Sequence, residues 1–236
     1  MVERVCASVP DGQSMRLAGQ RARSVQDKDL RRRHLVQAAA ELFSLNDFDG
    51  VTIANVARRA GVAKGTAYLY FNSKEAVFLE LVQSELLDWE QGLQDALSQS
   101  AGPSCDTNAD EFATTIARTL SQRPTLCRLL VLLHSVIEPH LDLPTARLFK
   151  AFLRDFVERV GTLFVRYVPQ LELESAVTLI LQIHAMVISV TQLAHPPPVI
   201  AVVLEDDPSL QRMRIAFEPF MAQTLATLLR GTLAPH

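Results

Sequence analysis

Residues 50–75 read GVTIANVARRAGVAKGTAYLYFNSKE, and this run predicts two short helices joined by a tight turn. After Thr52, a suitable N-cap, apolar residues recur at three- and four-residue steps, as on one face of a helix: Ile53, Val56, Ala57 and Ala60. Gly61 supplies the backbone freedom that a sharp turn requires. A second helix is predicted near 63–70, with Ala67 against the first helix and polar side chains facing out. Together they indicate a helix-turn-helix unit, an arrangement that reads DNA.

An amphipathic helix is predicted before this unit, beginning near Asp29. Its apolar face consists of Leu35, Ala38, Ala39, Leu42 and Phe43. Residues 1–28 are polar and irregular, and we expect them to form a flexible basic arm. The arm either has no role or contacts DNA phosphates or the minor groove, and the sequence leaves both alternatives open.

The segment 35–76 resembles the DNA-binding domain of the tetracycline-repressor (TetR) family of bacterial regulators. The resemblance rests on Ala39, Leu42-Phe43, Gly50-Val51-Thr52-Ile53, Val56-Ala57, Ala60-Gly61-Val62, Lys64-Gly65-Thr66, Tyr68-Leu69-Tyr70-Phe71 and Ser73-Lys74-Glu75. It implies a homodimer that presents one reading helix per subunit to the major groove. It also implies a ligand cavity in the C-terminal helices that controls operator binding. Ala63 stands where the family more often has serine, and Val51 where a second threonine is frequent.

The expected DNA-binding residues are Thr52, Lys64, Gly65, Thr66, Tyr68, Tyr70 and Lys74. The two lysines suit phosphate oxygens as mobile point charges, and Gly65 allows a close approach because it has no side chain. Thr66 is the best candidate for a base contact, while the tyrosines offer hydroxyls on stiff rings. Alternatively, both tyrosines pack in the core and do not contact DNA. For Phe71, packing in the core is the preferred interpretation. Arg58 and Arg59 either contact DNA or form a solvated face.

Composition favours an all-α fold for the whole chain. Of its 236 residues, 48% are hydrophobic and only nine are glycine, and leucine and alanine recur at helical spacing. We predict a three-helix helix-turn-helix domain over 29–75, joined to a larger helical ligand-binding and dimerisation domain over 76–236. A long helix should follow Ser73, and further helices are predicted near 110–121, 124–137, 142–167, 173–194 and 209–230. Pro219 should kink the last helix, while Val199–Leu204 is apolar and receives no firm assignment.

The charge is divided unevenly along the chain. Residues 1–80 carry a balance of +3 and residues 81–236 a balance of −6, within a net charge of −3. A basic N-terminal part on an acidic body fits contact with a polyanion at one end only.

The apolar body from 110 to 195 contains scattered polar groups, as a small-molecule site does. The expected ligand-binding residues are Phe112, Ile116, Arg128, His134, Phe152, Phe156 and His184. For each histidine alone, a satisfied core or interface position is the competing interpretation. A metal site at His134, Glu138 and His140 is weakly supported, and we expect no metal and no cofactor.

The helices near 173–194 and 209–230 are apolar on more than one side, so pairing with a second copy would bury them. The predicted partners are therefore a double-stranded DNA operator, a second subunit and a small hydrophobic effector. We expect no signal peptide and a cytoplasmic location. Polar residues interrupt the apolar run Leu173–Leu193 and argue against a membrane span. Cys6, Cys105 and Cys127 match no disulfide or metal spacing and are expected to be reduced thiols.

The leading hypothesis is a ligand-responsive repressor that binds a palindromic operator as a homodimer and is released by a small apolar effector. An activator, or a ligand-free regulator acting through a protein partner, remains the alternative. An enzyme is not expected, because the chain has no nucleophile elbow, zinc-protease motif or phosphate loop.

Overall fold

The computed structural model describes residues 12–99 and 109–234, with side chains from residue 26 onward. Within those ranges the chain is helical and has no strand, so the predicted all-α fold is confirmed. Contacts divide the chain into two compact units, with the division between Asn72 and Ser73.

The first unit consists of α1 (Gly12–Leu45), a 3-10 turn (Phe48–Gly50), α2 (Ile53–Arg59) and α3 (Lys64–Tyr68). Most of the apolar positions that the sequence singled out are buried between these helices, as are Val51, Ala67 and Phe71, whereas Leu42 and Ala60 are half-buried. The helix-turn-helix arrangement is therefore present, with α3 packed on α2 and α2 on α1.

Helix α1 begins much earlier than predicted. It starts at Gly12 and not near Asp29, so the part of the expected flexible arm from residue 12 onward is helical. The chain has no proline between Pro10 and Leu45 and is rich there in arginine, glutamine, alanine and leucine, which are good helix formers. One interior glycine, Gly19, costs about 1 kcal/mol and does not end the helix. The remainder of the arm, residues 1–11, lies outside the described residues.

Among its described residues the second unit has seven α-helices: α4 (Lys74–Gln99), α5 (Ala109–Ser121), α6 (Pro124–Leu132), α7 (Leu143–Tyr167), α8 (Leu173–Ala194), α9 (Pro198–Asp206) and α10 (Phe217–Leu233). Helix α6 continues as a π-helical turn (Leu133–Ile137) and a 3-10 turn (Glu138–His140). Helix α10 packs mainly on α5, and α8 packs on α6, α7 and α10. The Ser73 hydroxyl accepts from the Ala76 N–H at the start of α4, and the Asp142 carboxylate accepts from the Thr145 N–H at the start of α7.

Two predictions for the end of the chain are wrong: the last helix does not begin near residue 209, and Pro219 does not kink it. The last helix begins at Phe217, and Pro219 lies in its first turn, where the missing N–H would have had no helical acceptor. The proline therefore does not kink the helix interior. The unassigned segment Val199–Leu204 belongs to α9, which has no buried residue, and a 3-10 turn (Pro208–Met213) follows it.

Among the described residues, α8 is long and apolar enough to cross a membrane by length and composition alone. Core helices of soluble proteins meet the same two criteria. It contacts three other helices and buries one face, while its other face is exposed.

Cys127 is buried on α6, and its thiol donates to the Leu120 carbonyl at a sulfur–oxygen distance of 3.5 Å. Burial raises the pKa of this thiol to about 11, so it is almost wholly protonated and unreactive at neutral pH. Cys6 and Cys105 lie outside the described residues.

Candidate functional site

The turn between α2 and α3 is closed by two backbone hydrogen bonds. The Gly61 N–H donates to the Arg58 carbonyl at 3.2 Å, and the Val62 N–H to the Ala57 carbonyl at 2.9 Å. This pair of bonds defines a Schellman motif, which places its central residue in the left-handed region. Gly61 adopts a φ of +70° there, and this conformation fixes the direction in which α3 leaves α2.

Thr52 caps α2, as the sequence predicted. Its backbone is extended, and its hydroxyl oxygen accepts the Asn55 N–H at 3.2 Å. The side chain is exposed, and a hydroxyl that accepts one bond can still donate another. Thr52 can therefore cap the helix and donate to a phosphate oxygen at the same time.

Helix α3 presents polar groups on one side and buries the other. Ala67 is fully buried, whereas Lys64, Gly65 and Tyr68 are exposed and Thr66 is half-buried. Tyr68 is 49% exposed, which argues against a core position for it. The Lys64 ammonium lies 6.0 Å from the centre of the Tyr68 ring, so the two side chains form one outward-facing surface.

Tyr70 and Lys74 are placed differently from the other predicted contacts. Tyr70 lies beyond the end of α3 and is half-buried, and its carbonyl accepts from the Arg32 guanidinium at 3.3 Å. The same guanidinium covers the ring of Phe71, which is buried as expected. Lys74 is the first residue of α4 in the second unit and is half-buried.

Arg58 and Arg59 are exposed and already have partners within the first unit. Arg58 donates to the Asn55 side chain at 2.9 Å, and Arg59 pairs with Glu41 at 2.5 Å. The hydrogen bond from Arg59 lowers the pKa of the Glu41 carboxyl. These contacts suit the solvated-face interpretation of the two arginines.

Sequence reasoning overlooked two features beside α3. Arg31 and His34 of α1 line a surface groove together with Ala63 and Thr66, and only the crossing of α1 over the turn shows this. Leu69, which follows α3, is 77% exposed. An exposed apolar side chain next to Tyr68 suits contact with a thymine methyl, although pattern reasoning assigns leucine to the core.

Replacing Ala63 with serine is expected to stabilise the start of α3. Ala63 has the extended backbone of an N-cap but no side-chain acceptor, and a serine there is worth about 1 kcal/mol. Amide hydrogen exchange at Gly65 and Thr66 should slow by about five-fold at that gain. Ala60→Ser, at the C-cap of α2, is the control, and equal exchange in both variants would contradict the capping argument.

The second unit contains an apolar cavity of about 250 Å³ between α4, α5, α6, α7 and α8, which is partly open to solvent. The apolar residues that line it are Leu86, Trp89, Leu120, Leu126, Leu130, Leu133, Leu153, Phe156, Val157, Ile180, Leu181, Ile183 and Val187. Three nitrogen-bearing side chains complete the lining: His134, Lys150 and His184.

The predicted ligand-binding residues separate into two groups. His134, Phe156 and His184 line the cavity. Phe112, Ile116, Arg128 and Phe152 are not part of its lining; Phe112 instead packs edge-on against Phe164, and Phe152 stacks between Phe149 and Phe156. Trp89 and Lys150 line the cavity but were not predicted to.

Four polar side chains form a connected cluster at the cavity, here called the polar cluster: His134, Glu138, Lys150 and His184. His134 Nε2 lies 2.8 Å from His184 Nε2, and His134 Nδ1 lies 3.0 Å from Glu138 Oε2. Lys150 Nζ donates to Glu138 Oε1 at 2.6 Å. Burial works to raise the pKa of Glu138, but hydrogen bonds from Lys150 and His134 hold it below its usual value.

His184 is the most buried member of the polar cluster, and its pKa is lowered to about 4. Burial is the largest cause, and the positive charge available on His134 adds to it. His184 is therefore neutral at physiological pH when the cavity is empty. Among the described residues no group of three or more acidic, histidine or cysteine side chains is arranged to hold a metal ion.

Comparison with known protein sequences supports the assignment of a helix-turn-helix unit. Residues 35–81 match the family model for bacterial regulatory proteins of the tetR family, and residues 83–236 match that for the tetracyclin repressor-like C-terminal domain. The HTH-type transcriptional regulator BetI of Agrobacterium fabrum is 38% identical over 74 residues, which are 31% of this chain and 36% of that protein. The fatty acid metabolism regulator protein of Bacillus subtilis is 26% identical over 87 residues, 37% of this chain and 42% of that protein. The matches thus span less than half the length of these relatives.

Solved structures share the fold over most of the chain. The fatty acid degradation regulator FadR from Bacillus halodurans superposes with a TM-score of 0.52 at 17% identity, covering 84% of this chain and 93% of that one. The TetR family repressor AlkX from a Dietzia strain gives a TM-score of 0.51 at 18% identity, covering 86% and 97%. These relatives are transcriptional regulators and not enzymes. Because family models match both the reading unit and most of the second unit, the chain belongs to the TetR family of DNA-binding bacterial transcriptional regulators.

Proposed function

We propose that this regulator is a cytoplasmic repressor that binds a palindromic operator as a homodimer and is released when a small apolar effector fills the cavity. The observation that carries the proposal is the cavity of about 250 Å³ in the second unit, with an almost entirely apolar lining. An apolar void is a binding site for an apolar ligand. A ligand-free regulator would need no such space, so the cavity favours the ligand-responsive alternative.

Dimer formation through α8 and α10 is supported by apolar side chains left on the surface. Exposed examples on these helices and on α9 are Leu173, Leu181, Leu193, Val199, Ile200, Val202, Val203 and Phe220. Pairing α8 and α10 with their copies would remove the α8 and α10 part of this surface from water, namely Leu173, Leu181, Leu193 and Phe220. A dimer of this kind places its two α3 helices on half-sites about 34–36 Å apart, or a multiple of that distance.

Release requires the effector to distinguish two states of the dimer. A ligand that binds the DNA-incompetent state more tightly shifts the population toward it. The cavity is lined by α4, which begins directly after the first unit, so the chain connects the ligand site to the reading unit through this one helix.

The test is binding of the purified protein to the DNA upstream of its own gene, with random competitor, at about 50 and 200 mM salt. Tight binding by a dimer that resists competitor supports an operator-specific regulator. A small apolar compound that binds in the cavity and then lowers the affinity for the operator would support the release mechanism. Unchanged operator affinity at saturating ligand would exclude the release mechanism.

Two substitutions on α3 should have different consequences. Lys64→Ala removes a phosphate contact, so it is expected to weaken operator and random DNA about equally and to lower the salt slope by about one. Thr66→Ala is expected to change which base is preferred, at a cost of about 1–3 kcal/mol on the operator. Affinities for operator variants at several salt concentrations measure both effects.

Arg154→Ala is the control, since this exposed arginine pairs with Asp155 on α7 and lies outside the reading unit. Intact sequence preference in Thr66→Ala would show that Thr66 does not read a base.

A further inference from the structure

The nitrogen-bearing residues that line the cavity are gathered by three different elements. His134 comes from the π-helical turn after α6, Lys150 from α7 and His184 from α8. The hydrogen bonds of the polar cluster connect all three through Glu138 or directly to one another. The cavity therefore has one polar region in an otherwise apolar wall.

The carboxylate of the polar cluster is already satisfied. Glu138 is not among the residues that line the cavity, and each of its two oxygens accepts from a partner, Lys150 or His134. The groups that can still bind a ligand are the nitrogen atoms of Lys150 and His184. An ammonium has three donors, and one of those of Lys150 serves Glu138. His184 uses Nε2 toward His134, which leaves Nδ1 for a ligand.

We infer that the effector is an amphipathic carboxylic acid, whose apolar part fills the cavity and whose carboxylate is bound by His184 and Lys150. This inference rests on the proposed ligand-released function and specifies its effector class. The cavity size lies between the roughly 150 Å³ void that holds a benzene ring and the roughly 300–1,000 Å³ of drug-sized sites. The apolar part of a ligand for a cavity of this size is a medium-length alkyl chain or a small bicyclic ring.

Proton positions in the polar cluster explain why an acid suits this site. A carboxylate only accepts hydrogen bonds, so the Nδ1 of His134 carries the proton that faces Glu138. One proton then lies between the two Nε2 atoms. With both rings neutral, it belongs to His184, and His184 Nδ1 is an acceptor.

Binding of a carboxylate reverses the direction of the hydrogen bond between the two histidines, and His134 takes up one proton. With His134 protonated on both nitrogens, its Nε2–H donates to His184 Nε2, and the His184 proton moves to Nδ1. That Nδ1–H then donates to the ligand carboxylate, whose charge balances the added proton. His184 remains neutral in both states, in agreement with its low pKa in the empty cavity, and the added charge lies on the half-exposed His134 beside the Glu138 carboxylate.

Octanoate, 1-octanol and octylamine are suitable probes, because they share one alkyl chain and differ in the head group. Trp89 is the single tryptophan of the chain and lines the cavity, so its fluorescence reports occupancy in the full-length protein. We expect octanoate to bind at least about ten-fold more tightly than 1-octanol, and octylamine not to bind. Calorimetry in buffers of different ionisation enthalpy should show net proton uptake when octanoate binds.

His184→Phe and Lys150→Met are expected to lose the preference for octanoate over 1-octanol. Lys150 is largely exposed, so its replacement does not require the cavity to repack. Lys150→Met therefore still tests the inference if His184→Phe is poorly folded. His140→Phe is the matched control: His140 bonds the Val136 carbonyl and does not line the cavity, so its preference should equal that of the unaltered protein.

Three results would overturn the inference: 1-octanol binding as tightly as octanoate, persistence of the acid preference in both variants, or no response of Trp89 to straight-chain acids at millimolar concentration. Operator binding measured in the same samples separates this inference from the proposed function. Octanoate that binds without releasing DNA contradicts only the release mechanism. Release by 1-octanol with no acid binding contradicts only the acid inference.

Discussion

Replacing Trp89 with alanine is expected to lower the free energy of unfolding of the second unit by about 3–5 kcal/mol. Trp89 is 4% exposed, its indole N–H donates to the Thr119 hydroxyl at 3.1 Å, and its ring lies 6.3 Å from that of Phe156. Truncation removes this packing and enlarges a cavity that is already empty of side chains. Circular dichroism during heating should show a transition on the order of 10 °C lower.

Trp89→Phe separates the hydrogen bond from the packing. It keeps an aromatic ring but removes the donor, and the Thr119 hydroxyl retains its own bond to the Ile116 carbonyl at 2.9 Å. The expected cost is about 1–2 kcal/mol. Equal destabilisation by alanine and phenylalanine would show that the hydrogen bond, and not the packing, accounts for the stability.

Replacing Gly61 with valine is expected to have the largest effect in the reading unit. The backbone there has a φ of +70°, which costs an L-residue about 1–2 kcal/mol and a β-branched residue more. A Cβ at this position meets no atom within 4 Å, so the cost is conformational and not steric. We expect faster amide exchange in α2 and α3 and at least a ten-fold loss of operator affinity, about 1.4 kcal/mol.

Gly65→Ala is the matched glycine variant, and its two effects should oppose each other. Gly65 lies within α3, where a Cβ also meets nothing within 4 Å. Alanine is the better helix former by about 0.8–1 kcal/mol, so exchange in α3 should slow. Operator affinity should nevertheless fall, because the added methyl group separates α3 from the DNA backbone. Unchanged operator affinity would show that Gly65 does not lie against DNA.

These two glycines show why the reading unit could be predicted from local sequence. Each feature that defines it involves residues within a few positions of one another: the Thr52 cap, the apolar steps along α2 and the Schellman turn at Gly61. Short-range sterics and hydrogen bonds determine such features, so they are visible in a single sequence. The prolines marked most helix ends of the second unit for the same reason.

The errors arose where local rules were applied at the wrong position. Residues from Gly12 onward were predicted as a flexible arm because they have no apolar periodicity, yet good helix formers continue α1 through them. Pro219 was expected to kink α10, but its effect depends on whether the helix begins just before it, which the sequence did not show.

Sequence alone therefore determined the class of fold, the helix-turn-helix unit and the apolar character of the second unit. Only the tertiary structure decided which apolar residues face a cavity. Helical spacing marks Phe112, Phe152 and Phe156 equally as inward-facing, yet only Phe156 of the three lines the cavity. The pairing of His134 with His184, which are 50 residues apart, is likewise a product of packing α8 on α6. A cavity is the volume that packed helices leave unfilled, so it depends on distant residues together and on no local pattern.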